Sequence, residues 1–86
     1  MNSQAISIII PVYNESETIE NVLKELRKFL KSIEIEHEII CVDDCSTDNS
    51  AKVISKVEGV KLMKHKKNRG YGAALKTGIR SAKNRV

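Results

Sequence analysis

Apolar and polar positions divide the chain into six short segments. Ile6 to Val12 is an almost continuous apolar run interrupted by one Ser. Such a run predicts a strand buried on both faces, as in a parallel sheet. Pro11 falls near its end, where a missing N–H does least damage. Asn14 then offers an N-cap, with Glu17 as its capping-box partner. Ile19, Val22, Leu23, Leu26, Leu30 and Ile33 recur at helical spacing, which predicts one apolar stripe on a helix. Lys28 and Lys31 lie off that stripe and suit its last turns. Glu38 to Val42 reads as a second strand. A second helix follows, capped by Ser46 or Asp48, with Val53, Ile54 and Val57 inward and Gly59 as its terminator. Val60 to Met63 is a third, shorter strand, and "KHKKNRG" a basic loop. Tyr71 to Ala82 reads as a third helix with a small face at Ala73, Ala74 and Gly78.

The predicted order is βαβαβα. Right-handed crossovers between neighbouring parallel strands make this one half of a doubly wound, mainly parallel α/β sheet, with the strands ordered 3-2-1. The first strand is then an open apolar edge, and such an edge invites pairing. The expectation is a truncated domain, residues 1–86 being its N-terminal part, whose next strand pairs with the first. The alternative is self-association through that edge.

Composition narrows the class. The 86 residues are 41% hydrophobic and 30% charged, which suits a folded domain rather than a disordered segment. With one Phe and no Trp, the core must be aliphatic. No apolar run approaches the ~20 residues of a membrane span, and "ISIIIPV" lacks the flanks of a signal peptide. A cytoplasmic location is expected. Cys41 and Cys45 have no further Cys nearby, and His37 and His65 offer no ligand spacing, so zinc is disfavoured. Residues 1–50 carry four Lys/Arg against ten Asp/Glu, a net of −6; residues 51–86 carry eleven against one, a net of +10. This asymmetry suits an anionic partner for the second half, although most of these lysines need be no more than a solvated face.

In a sheet of this kind ligands bind beyond the carboxyl ends of the strands. Three segments converge there: "PVYNE", "DDCSTD" and "KKNRGYG". The adjacent Asp43 and Asp44 cannot both be dry and charged without partners. One can take turn donors and the other a ligand; equally, both can simply cap the second helix. Gly70-Tyr71-Gly72 follows the third strand, so it is not the G-x-G-x-x-G of a dinucleotide fold, which follows the first strand. The pair either lets backbone approach a phosphate or makes a flexible turn. A phospho-acceptor receiver domain also fits poorly. Its acidic pair follows the first strand, and it carries a lone Asp after the third.

Taken together, "ISIIIPVYNESETI", "EIICVDDCSTDNS" and "NRGYGAALKTGI" strongly resemble the N-terminal nucleotide-binding half of family 2 inverting glycosyltransferases, nearest to the polyprenyl- or dolichol-phosphate type. The resemblance runs from Ile6 to Val86 and implies the GT-A, Rossmann-like fold. It implies that Pro11, Tyr13 and Glu15 lie along the base and ribose of a nucleotide. It implies that Asp44 hydrogen-bonds the base with Asp43 as its neighbour, and that Asp48 is a turn and cap residue. Gly70, Gly72 and Lys76 would flank the nucleotide and its phosphates. Tyr13 is suited to pack on a ring, and Arg69 or Lys76 to meet phosphate.

The parent protein would then transfer a sugar, with inversion, from a UDP- or GDP-sugar to a polyprenyl phosphate or other glycan acceptor. Such work belongs to cell-envelope glycan biosynthesis at the cytoplasmic face of a membrane. Mg²⁺ or Mn²⁺ would bridge the diphosphate. The family's metal-binding D-x-D motif and catalytic base fall after Val86, so this chain is expected to hold no metal, to contain no catalytic residue and to be inactive alone. Cys45 stands where the family usually has Gly. Two other readings compete. One is a self-contained nucleotide-binding or regulatory module without catalysis, marked by a natural stop after Val86. The other is a basic module binding nucleic acid through "KLMKHKKNR". A lone Tyr71 gives that little stacking, so no nucleic-acid partner is expected.

Overall fold

A computed structural model describes residues 5–86. The segments alternate as read: β1 (Ile6–Val12), α1 (Ile19–Ser32), β2 (His37–Asp43), α2 (Ser50–Ser55), β3 (Val60–Lys64) and α3 (Tyr71–Ser81). The three strands form one sheet in the order β1-β2-β3, so β2 is central. Both pairings are parallel, with Ile8 opposite Ile39 and Cys41 opposite Leu62.

The side-chain period of two sends alternate strand residues to opposite faces. On one face Ile39 and Cys41 pack with Val12 against Ile19, Leu23 and Leu30 of α1, Ile54 of α2, and Val57 just beyond it. On the other, Ile40 and Val42 pack with Ile9 and Met63 against Ala74 of α3. The central strand is therefore dry on both sides: Ile39, Ile40, Cys41 and Val42 are all buried. Burial also pushes the Cys41 thiol up to about 12, so it behaves as a small hydrophobe. The α3 layer lies very close. A Cβ added at Gly78 would stand 2.3 Å from Ile9 Cγ2, so the small face of α3 is what lets it approach β1.

Local details differ from the sequence expectation in three places. Asn14 does not cap α1. It has φ 54, the N-cap is Thr18, and the Ile19 N–H reaches the Glu15 carbonyl at 2.9 Å. The helix turns so that Val22 and Ile33, placed on its inward stripe, are 50% and 42% exposed, as is Phe29 at 58%. The buried set is narrower than the apolar one. Finally, α2 starts at Ser50, later than Ser46 or Asp48, because the segment between them is engaged elsewhere.

The far edge of β1 is paired at its start. Ile6 bridges Arg85 in parallel, and the Ser7 N–H donates to the Arg85 carbonyl at 2.7 Å. Ser7 and Glu38 brace this junction. The Glu38 carboxylate accepts from the Ser7 hydroxyl and, at 2.6 Å, from the Lys83 N–H. Chain leaving α3 thus runs alongside β1, the side on which the sequence called for a further strand. The Val12 carbonyl accepts from the Asp44 N–H on the β2 side. Alternation then turns the Pro11 nitrogen to the outer edge, where it costs the inner ladder nothing.

Candidate functional site

Beyond the carboxyl ends of the strands the three loops are stitched into one structure. The stitching starts from two serines. The Ser46 hydroxyl donates to Asp43 Oδ1 and accepts from the Asn14 N–H at 2.9 Å. The Ser50 hydroxyl donates to Asp48 Oδ1 and accepts from the Glu15 N–H at 2.8 Å. Asn14 Oδ1 returns the contact by accepting from the Thr47 N–H at 2.8 Å, and Asp48 Oδ2 accepts from the Ser16 N–H at 3.2 Å. The Ser50 hydroxyl, and then the backbone donors of Ser50 and Ser16, hold the Asp48 carboxyl down at about 2 against a smaller opposing effect of burial. Asn14, offered by the sequence as a helix cap, is a clasp between loops more than thirty residues apart.

Asp43 and Asp44 therefore have different duties. Asp43 points to the α1/α2 side and is satisfied by the Ser46 N–H at 3.1 Å and the Ser46 hydroxyl. Asp44 points to the α3 side. Its Oδ1 accepts from His65 Nδ1 at 2.7 Å and from the Arg69 N–H at 2.9 Å, and its Oδ2 accepts from the Gly70 N–H at 2.8 Å. Asn68 Nδ2 reaches the Asp44 carbonyl at 3.3 Å. Burial raises the carboxyl, but the His65 bond and the two backbone donors outweigh it and leave the pKa below the ordinary value. Asp44 is thus a carboxylate at neutral pH. His65 completes the tie, with Nε2 2.7 Å from Thr77 Oγ1 of α3. Among the described residues no buried side-chain nitrogen or oxygen lacks a partner.

Cys45 sits between these duties with φ 62, a conformation that costs a residue with a Cβ and suits glycine. Gly70, the residue before α3, has φ 96, and no atom lies within 4 Å of where its Cβ would be. That turn aims the Arg69 and Gly70 N–H groups back at Asp44.

The stitched loops surround a cavity of about 360 Å³. Pro11, Val12, Tyr13 and Glu15 form one wall, Asn68, Gly70, Tyr71 and Ala74 the other, and Asp44 lies between them. Tyr13 and Tyr71 are exposed rings on opposite walls, 46% and 71% accessible. α3 begins at this wall, and a helix N-terminus favours an anion. Of the residues singled out from sequence, Pro11, Tyr13, Glu15, Asp44 and Gly70 line this cavity. Asp43, Gly72 and Lys76 lie outside its lining, the last two exposed on α3. Val12, Asn68, Tyr71 and Ala74 also line it and His65 holds Asp44, and none of these five was given a role at the site by the sequence. Among the described residues no three His, Cys, Asp or Glu side chains come together to hold a metal ion. The two adjacent aspartates turn to different loops, Asp43 to Ser46 and Asp44 to His65 and Gly70, so they do not converge on one ion.

Comparison with known proteins identifies the family. The family model of glycosyl transferase family 2 matches residues 7–86. The chain belongs to that family. It is 36% identical over 85 residues to a dolichyl-phosphate beta-glucosyltransferase of Dictyostelium discoideum, covering 86% of this chain and 26% of that protein. It is 38% identical over 82 residues to an undecaprenyl-phosphate 4-deoxy-4-formamido-L-arabinose transferase of Proteus mirabilis, covering 90% of this chain and 25% of that one. Among solved structures, a mannosyltransferase from Pyrobaculum calidifontis in complex with GDP-Man and Mn²⁺ superposes with a TM-score of 0.77 at 26% identity, over 90% of this chain and 24% of that one. A mannosyl-3-phosphoglycerate synthase from Rubrobacter xylanophilus superposes at 0.81 with 18% identity, over 93% and 28%, a likeness of fold. The chain spans about a quarter of the length of these relatives. This glycosyl transferase family 2 chain thus has the fold expected from its motifs.

Proposed function

We propose that residues 1–86 are the N-terminal nucleotide-sugar-binding part of a longer sugar transferase, and that the cavity beside Asp44 takes the nucleoside diphosphate of the donor. The observation that carries this reading is the convergence on one cavity of an ionised, rigidly held Asp44, two exposed tyrosine rings and the N-terminus of α3. The carboxylate accepts a base N–H, the rings cover base and ribose, and the helix end faces the diphosphate. The named relatives, two lipid-phosphate sugar transferases and a GDP-Man complex, support the classes of acceptor and donor. The parent moves a sugar from a UDP- or GDP-sugar to a lipid phosphate or other glycan acceptor with inversion, at the cytoplasmic face of a membrane. Among the described residues no helix is long and apolar enough to cross a membrane. In the parent, Mg²⁺ or Mn²⁺ neutralises diphosphate charge when bound; its ligands and the catalytic base are assigned to residues outside this chain.

The test is an amide NMR titration of the chain with UDP and with GDP, each with and without Mg²⁺. Shifts centred on Tyr13, Asp44 and Gly70, and lost in Asp44→Asn, are the expected result. A well-dispersed spectrum that neither nucleotide perturbs would overturn the assignment of this cavity.

A further inference from the structure

The hydrogen bonds around Asp44 bear on which base the cavity accepts. A carboxylate offers about four acceptor positions. Three on Asp44 are filled by its own chain: Oδ1 by His65 and by the Arg69 N–H, Oδ2 by the Gly70 N–H. One position remains, on Oδ2. Asn68, which also lines the cavity, spends one amide hydrogen on the Asp44 carbonyl and keeps the other. The edge offered to a base is a single acceptor beside a donor.

We propose that His65 is a specificity-determining positioning residue, which fixes Asp44 so that one acceptor faces the cavity and thereby favours uridine over guanosine nucleotides. This rests on the nucleotide reading of the cavity. Uracil presents one ring N–H flanked by carbonyls, and that edge matches. Guanine presents the ring N–H and the neighbouring amino group together, and pairs fully only with a carboxylate that turns both oxygens to it. His65 prevents that turn. Its side chain is 5% exposed, and its other nitrogen is held by Thr77. The Pyrobaculum mannosyltransferase, solved with GDP-Man, makes GDP the competing ligand to measure.

The experiment is titration of the chain with UDP and GDP in wild type, His65→Leu, His65→Asn and Thr77→Val. A buried donor left unpaired predicts that UDP binds about 5- to 150-fold tighter than GDP in wild type. His65→Asn keeps a donor near the Nδ1 position but loses the Thr77 tie, so it should retain about as much of the preference as Thr77→Val and more than His65→Leu. His65→Leu should narrow it several-fold; if that variant does not fold, Thr77→Val, which removes only the second anchor, should narrow it in part. GDP binding as tightly as UDP in wild type overturns the proposal and leaves the nucleotide cavity standing. So does an unchanged UDP-to-GDP ratio in folded His65→Leu or, in its place, Thr77→Val. Binding of neither nucleotide overturns both.

Discussion

Asp44→Asn separates a ligand-facing carboxylate from one that also holds the fold. The substitution preserves shape and removes the charge. An amide has one oxygen, and Asp44 faces three donors. With its oxygen toward His65 and Arg69, the new amide turns its NH₂ against the Gly70 N–H; flipped, it opposes two donors. A buried donor left without an acceptor costs about 1–3 kcal/mol, and bonds to a charged acceptor are about twice as strong as neutral ones. The expected loss is about 3 kcal/mol. An 86-residue domain has roughly 4–13 kcal/mol in total at ~0.05–0.15 kcal/mol per residue. At about 4–8 °C per kcal/mol, Tm should fall by about 12–24 °C. Circular dichroism melts of both chains, with urea titrations at 25 °C, measure this directly. A Tm within about 3 °C of wild type, with nucleotide shifts nonetheless abolished, would refute the tethering argument and leave Asp44 as a ligand residue alone.

Two further outcomes follow from packing and charge. Gly78→Ala gains about 1 kcal/mol of helix propensity but drives a Cβ into Ile9 Cγ2, an overpacking cost of about 1–3 kcal/mol, so urea melts should show net destabilisation of about 1 kcal/mol. Ile9→Ala in the same chain should relieve the clash, a favourable coupling in a double-mutant cycle; simple additivity would contradict the close contact. In acid, Asp44 and Asp48 have folded pKa values below their ordinary ones, so their contribution is present above the ordinary carboxylate value and is lost as pH falls through the folded one. Tm should hold from pH 7 to about 5 and drop mainly between about pH 4 and 2, the Asp48 share near 2. A drop complete by pH 4 would contradict these tethers.

Much of this fold is legible in the residues because strand and helix periods differ so plainly. The double-sided burial of Ile39 to Val42 matches an unbroken apolar run, and the small face at Ala74 and Gly78 matches a helix pressed onto a sheet. The legible part of the site is likewise the part carried by short motifs at strand ends, where topology must place them. What escaped is what depends on partners distant in sequence. Asn14 looks like a local cap because Glu17 follows it, but its side chain is taken by Thr47. His65 has no ligand spacing and reads as an idle loop residue. Its meaning exists only once α3 brings Thr77 over the end of β2. Val22 and Ile33 have the right period for the core but stand at its margin, since α1 turns Ile19, Leu23 and Leu30 inward instead.

The cavity walls come from residues 11–15, 44 and 68–74, so no part of the chain shorter than about sixty residues contains them all. In the unfolded chain there is nothing for a ligand to hold. Occupancy and folding are therefore linked by mass action: a ligand at a hundred times its Kd adds about 2.7 kcal/mol to stability without making any contact in the core. For so small a chain, the concentration of a ligand for this cavity bears on its stability as much as a residue in the core does.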